Sequence, residues 1–149
     1  MEYNYKNYKP MNSKEIKEFH NYLKNQYNSS KKLNYLFFKK KDKFYIVSKK
    51  FKDLKIERLN LNSLGLYIAK EDLGSIRLTI EGSQLIGPKA KKNVLELNDP
   101  TEWMSGNDII TNENYSGFIL IKYKKDFLGS GLFNKNKVIN FIPKSRRIK

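Results

Sequence analysis

Six basic side chains, Lys135, Lys137, Lys144, Arg146, Arg147 and Lys149, follow Asn134 with no acidic residue among them. Such a stripe can clamp a polyanion. The adjacent pair Arg146 and Arg147 stands out in a chain whose basic residues are 26 Lys to 4 Arg. A guanidinium makes bidentate phosphate contacts and stacks on planar groups, which an ammonium does not. Pro143 ends the preceding apolar run and sets the direction of the tail. The competing reading of this segment is a solvated, frayed end.

Residue types that would do covalent chemistry are scarce. There is no cysteine and one histidine, His20, so thiolate nucleophiles, disulfides and a His/Cys zinc set are excluded. His20 falls within a predicted helix beside Phe19 and reads as a packing or surface residue. The 15 carboxylates are scattered and form no defensible acid–base pair. The run GSGLF lacks the lysine and Ser/Thr of a phosphate-binding loop and the spacing of a dinucleotide fingerprint. Gly129 and Gly131 instead suit a bulge or tight corner, or a close backbone approach to a ligand. Trp103, the only tryptophan, reads as core. No catalytic residue, metal site or cofactor is expected.

The formal charge of +15 over 149 residues creates a field that attracts RNA, DNA or acidic membranes. Part of the lysine excess reflects codon bias, since Asn, Ile, Tyr and Phe are also abundant. Hydrophobic residues at 39% and aromatics at 13% are enough for a packed core. No stretch approaches the length of a membrane span and no secretory leader is evident, so a cytoplasmic protein without membrane contact is expected.

The elements that would position these residues divide the chain in two. Residues 1–60 carry 16 basic and 6 acidic side chains, against 14 and 9 in residues 61–149. In the first part Asn12 caps a helix over Ser13–Tyr27, with Glu15 reaching back and Ile16, Phe19, Leu23 and Tyr27 on one face. LNYLFF and KFYIVS around the polar turn KKKD make a hairpin to pack on it. The second part consists of short strand-like segments: IERLN, LGLYIAK, NVLEL, DIIT, GFILIKY, FLGSGLF and KVINFI. Two short helices interrupt them. One is capped by Thr79 and runs from Ile80 to Ile86, ended by Gly87-Pro88, with Gly82 as a weak point. The other is capped by Asp99, with Pro100 at its first position, Glu102 completing a capping box and Gly106 as its stop. The spacing predicts a small β-barrel.

Four ordered blocks, GLYIAKED, RLTIEGSQLIG, EWMSGND and FLGSGLF through NFIPKSRRI, resemble the PUA-like domain of Sun-type RNA cytosine-5 methyltransferases, which in archaea also occurs as short separate proteins. The resemblance spans about residues 64–148. It implies an α+β fold: a small PUA-like β-barrel (pseudobarrel) with short helices in residues 61–149, here preceded by the helix-plus-hairpin unit of residues 1–60. A helix and a glycine loop would frame an RNA groove. On that resemblance the RNA contacts fall on Gly65, Lys70, Arg77, Gly82, Ser83, Gln84, Gly87, Asn140, Pro143, Lys144, Arg146 and Arg147. The methyltransferases also carry an S-adenosylmethionine-binding Rossmann domain and a catalytic cysteine, and this sequence has neither. The expectation is therefore a non-catalytic protein of ribosome biogenesis or RNA modification that binds ribosomal or transfer RNA, with any catalysis supplied by a partner methyltransferase. The rival expectation is an accessory subunit that docks on a methyltransferase or ribosomal protein and touches RNA incidentally.

Overall fold

The computed structural model describes residues 7–49 and 65–148. Helix α1 spans Ser13–Tyr27. The Asn12 carboxamide accepts from the Glu15 amide at 2.8 Å, and the Asn12 amide donates to the Glu15 carboxylate at 3.0 Å. This closes the expected capping box, an arrangement worth about 1 kcal/mol. Asn28 ends the helix in the left-handed region, φ 52°. Phe19, Leu23 and Tyr27 are buried along its inner face.

That face packs on a five-stranded sheet in the order β1 (Lys9–Pro10), β2 (Leu36–Lys40), β3 (Lys43–Val47), β4 (Leu66–Asp72) and β5 (Ser75–Leu78). All of its pairings are antiparallel. The predicted hairpin is β2–β3, with its turn narrowed to Lys41-Asp42; β1 was not foreseen. Between β4 and β5, Leu73 and Gly74 both take positive φ (52° and 73°), the geometry of a two-residue hairpin turn. The expected boundary at residues 60/61 and the segment IERLN lie outside the described residues. On either side of that boundary β3 and β4 pair within one sheet.

Helix α2 (Ile80–Ile86) follows β5, capped by Thr79, whose hydroxyl accepts from the Gly82 amide at 3.0 Å. The helix ends at Gly87-Pro88 as expected; Gly87, with φ −53°, leads into a 3₁₀ turn over Gly87–Lys89. The second sheet has the order β6-β8-β9-β10-β7, with β6 (Val94–Glu96), β7 (Ile109–Ile110), β8 (Phe118–Tyr123), β9 (Asp126–Asn134) and β10 (Lys137–Ile139). β6 pairs with β8 in parallel. The strands thus form two sheets of a mixed α+β fold, consistent with a small PUA-like domain.

The short helix α3 (Thr101–Met104) lies between β6 and β7. Its N-cap is Pro100, one residue later than expected, and the Asp99 carboxylate accepts from the Thr101 amide at 2.9 Å. The expected capping box does not form, because the Glu102 carboxylate accepts from the Asn107 side chain instead. Trp103 is fully buried and donates its indole N–H to the Leu128 carbonyl at 2.8 Å.

Among the described residues two large apolar clusters stand beside a small one of Tyr8, Phe38 and Val47. One joins α1 and the inner face of the first sheet to Ile86, Leu120 and Phe127. The other gathers Trp103, Ile119, Ile121, Val138 and Ile142. Polar contacts also tie α1 to the second sheet and to the loop before it: Tyr27 donates its hydroxyl to the Phe118 carbonyl at 3.0 Å, and its own carbonyl accepts from the Lys91 amide at 2.7 Å.

Candidate nucleic-acid interface

Two grooves flank α2. The larger, about 690 Å³, is lined by Lys91 and Lys92 after the 3₁₀ turn, Lys122 on β8, and Lys124 and Lys125 in the β8–β9 turn. The folded core fixes its walls. Gly87 sits against the Phe127 ring so closely that a Cβ there would lie 2.3 Å from Cδ1. The loop bearing Lys91 and Lys92 is pinned by Asn93, whose side chain donates to the Gln26 carbonyl at 2.7 Å and whose carbonyl accepts from the Leu120 amide at 2.8 Å. Lys122 holds its ammonium 5.6 Å from the Phe127 ring centroid, and Lys124 stands 5.2 Å from that of Tyr123. Glu96 is the single carboxylate among the lining residues. No ion pair among the described residues involves any of these five lysines, so their charge is left to face the groove. Tyr115 on the rim stays protonated, its phenol pushed up by burial and by its bond to the Glu113 carboxylate.

The smaller groove, about 370 Å³, lies at the other end of α2, between the first sheet and the C-terminal turn. It brings together four of the residues implied by the family resemblance, Lys70, Arg77, Pro143 and Arg146, and adds Lys43, Tyr67, Glu81 and Phe141. Strand register explains the cations: Lys40 is paired with Lys43, Lys43 with Lys70 and Lys70 with Arg77, a row of four across β2 to β5. Beside it runs an aromatic row, Phe38 with Tyr45 and Tyr45 with Tyr67. Each of three cations already has a carboxylate: Lys70 with Asp42 at 3.8 Å, Arg77 with Asp72 at 3.2 Å and Arg146 with Glu81 at 2.6 Å. The Arg77 guanidinium carbon lies 4.5 Å from the Phe141 ring centroid. Burial pushes the Tyr67 phenol above its ordinary value.

The other implied contacts are placed differently. A Cβ on Gly82 would stand 2.0 Å from the Ile68 carbonyl oxygen. Ser83 is fully buried, donating to the Ile80 carbonyl at 2.6 Å and accepting from the Gly129 amide at 2.9 Å. Asn140 donates to the carbonyls of Trp103 and Asn107 and accepts from the Ile142 amide. Gly87 closes against Phe127 and thus belongs to the wall of the larger groove. Gln84 and Lys144 are exposed and line neither groove, and Gly65 is half-buried just before β4. Arg147 turns inward, its Nε donating to the Ile142 carbonyl at 3.0 Å and its side chain covering Gly106.

The tail is therefore neither frayed nor an unopposed stripe. It forms a 3₁₀ turn over Lys144–Arg146, and the Ile148 amide donates to the Met104 carbonyl. Counter-charges absent from the local sequence arrive from elsewhere in the chain, with Asp108 3.6 Å from Lys137 as well as Glu81 on Arg146.

Sequence reasoning did not single out the five lysines of the larger groove. Their signal was present in the doublets at 91–92 and 124–125, but their convergence depends on the second sheet. His20 is a packing residue, its Nδ1–H donating to the Ile16 carbonyl and its Nε2 accepting from the Leu33 amide, both at 3.0 Å. Among the described residues no group of three or more His, Asp or Glu side chains is placed to hold a metal, and no helix is long and apolar enough to cross a membrane.

The family model of the methyltransferase RsmF PUA domain matches residues 92–148. That stretch begins in the lysine loop and contains the whole second sheet, α3 and the closing turn. The first two blocks of the resemblance, GLYIAKED and RLTIEGSQLIG, precede it. No curated protein matches the chain.

Proposed function

From the premise that the chain belongs to the PUA-domain family through residues 92–148, we propose that it is a non-catalytic RNA-binding protein acting on ribosomal or transfer RNA, with the lysine groove as its backbone-binding surface. The observation that carries this reading is the convergence on one groove of five lysines that, among the described residues, are free of ion pairs and meet one lining carboxylate. Phosphate contacts of this kind position an RNA without reading its sequence. Any chemistry on the RNA belongs to a partner enzyme, such as an RNA methyltransferase. Crosslinking and sequencing from native cells should recover discrete ribosomal or transfer RNA positions, and a diffuse profile would count against this choice of RNA.

Salt dependence tests the groove itself. If all five lysines neutralise phosphates of a single strand, log K falls with log salt at a slope of about −3.5, and affinity drops roughly 100-fold between 50 and 200 mM. Replacing Lys91 and Lys92 by Ala makes the slope shallower by about 1.4, and so does replacing Lys124 and Lys125. Unchanged slopes in both pairs, measured by fluorescence anisotropy, would remove the groove from the mechanism.

A further inference from the structure

We propose that the smaller groove is a pocket for one unpaired nucleobase of the bound RNA, gripped by stacking on Tyr67 and on the guanidinium of Arg77. This rests on the RNA-binding reading and deepens it: one groove holds the backbone and the other takes a base. The electrostatics of the two grooves separate these roles. Of the four cations that line the smaller groove, Lys43, Lys70, Arg77 and Arg146, three are already paired within 4 Å, Arg146 with Glu81 in the lining and Lys70 and Arg77 with Asp42 and Asp72 outside it. A phosphate placed there would compete with carboxylates for three of the four cations. In the larger groove Glu96 is the one lining carboxylate, and among the described residues none of the five lysines is in an ion pair.

What the smaller groove offers is planar surface held in place. Tyr67 is backed by Tyr45, with ring centroids 5.5 Å apart and planes inclined by 33°. Arg77 is fixed by Asp72 through Nε at 3.2 Å and rests over Phe141, which is braced in turn by Phe118 at 5.9 Å. These groups are ordered in the folded chain, so a base that stacks on them does not bear the cost of arranging them. Unpaired RNA bases are recognised by such stacking on aromatic rings and arginine planes. The volume of about 370 Å³ lies near the lower end for small-molecule sites and suits a single nucleotide rather than a duplex.

The test uses the full chain, a single-stranded oligoribonucleotide carrying one 2-aminopurine, and a blunt duplex of equal length. Tyr67→Leu removes the ring, and Arg77→Lys removes the plane while keeping the charge. Each variant is expected to weaken single-strand binding about 5- to 100-fold, the range that stacking of one base spans. Each should also abolish the fluorescence quenching of 2-aminopurine, leave the salt slope unchanged and leave duplex binding as it was. Tyr67→Phe should behave as the original chain, which separates stacking from folding. If Tyr67→Leu and Arg77→Lys retain affinity and quenching while Lys91→Ala/Lys92→Ala still weakens binding, the base pocket is wrong and the RNA reading stands. If the unaltered chain binds neither RNA, both fall.

Discussion

Replacing Gly82 by Ala separates a residue that frames the site from one that contacts RNA. In a solvent-facing helix the change would stabilise by about 1 kcal/mol through helix propensity. Here the added Cβ would lie 2.0 Å from the carbonyl oxygen of Ile68 and 3.0 Å from its carbonyl carbon. That obstacle is the backbone of a central strand, so it cannot swing aside as a side-chain end would. The same carbonyl accepts from the Thr79 amide at 2.9 Å, which joins the end of β5 to β4 just before α2 begins. Relieving the clash costs about 3 kcal/mol as overpacking and about 1 kcal/mol more for the weakened hydrogen bond. After the propensity gain the net loss is about 3 kcal/mol, or roughly 6–12 °C in Tm for a chain of this size. Urea unfolding followed through the fluorescence of buried Trp103 measures the loss directly. RNA affinity, taken below the transition, should be unchanged. A variant as stable as the original would show that the strand yields, and a stable variant that fails to bind would make Gly82 a contact after all.

His20 is held neutral by its surroundings: burial lowers its pKa below 6.5 first, and Lys32 adds to this against the opposing bond to Ile16. Its contribution to stability is complete above about pH 6.5 and declines as pH falls through that value, levelling below the folded pKa. Urea midpoints at pH 8, 6.5 and 5 should show this decline, and His20→Gln should remove it. Asn140→Asp places a carboxylate against the Trp103 and Asn107 carbonyls. It should destabilise more than Asn140→Ala, whose loss of three hydrogen bonds is worth about 2–3 kcal/mol; equal stability of both with the original, again by urea unfolding, would return Asn140 to the solvent.

The features read correctly from sequence are those set by neighbours a few residues apart. The caps at Asn12 and Thr79 and the helices they open depend on contacts within one turn, so residue type and spacing suffice. The start of α3 shows the limit: the cap falls on Pro100 rather than Asp99, and Glu102 has a choice of partners that Asn107 takes. The tail fails as an unopposed stripe for the same reason on a larger scale. Its local sequence lacks acids, yet Glu81 reaches Arg146 from 65 residues away. Nothing in the order of residues announces that β6 runs parallel to β8, and that pairing is what sets the loop with Lys91 and Lys92 against the turn with Lys124 and Lys125.

Codon bias and function leave different marks on a lysine-rich chain. Bias raises the number of lysines at positions where any solvated residue is tolerated, and it has no reason to bring them together or to keep acids away. Around the smaller groove, and on Lys39 with Glu71 and Lys137 with Asp108, basic residues are matched by carboxylates, so their field at a distance is small. In the larger groove two stretches far apart in the chain, residues 91–92 and 122–125, contribute the lysines, and a single acid lines it among the described residues. Holding five like charges around one concavity is unfavourable until an anion enters it, and that unfavourable energy is released as affinity when a phosphate backbone does. The total of +15 therefore says less about function than the few residues that remain unmatched.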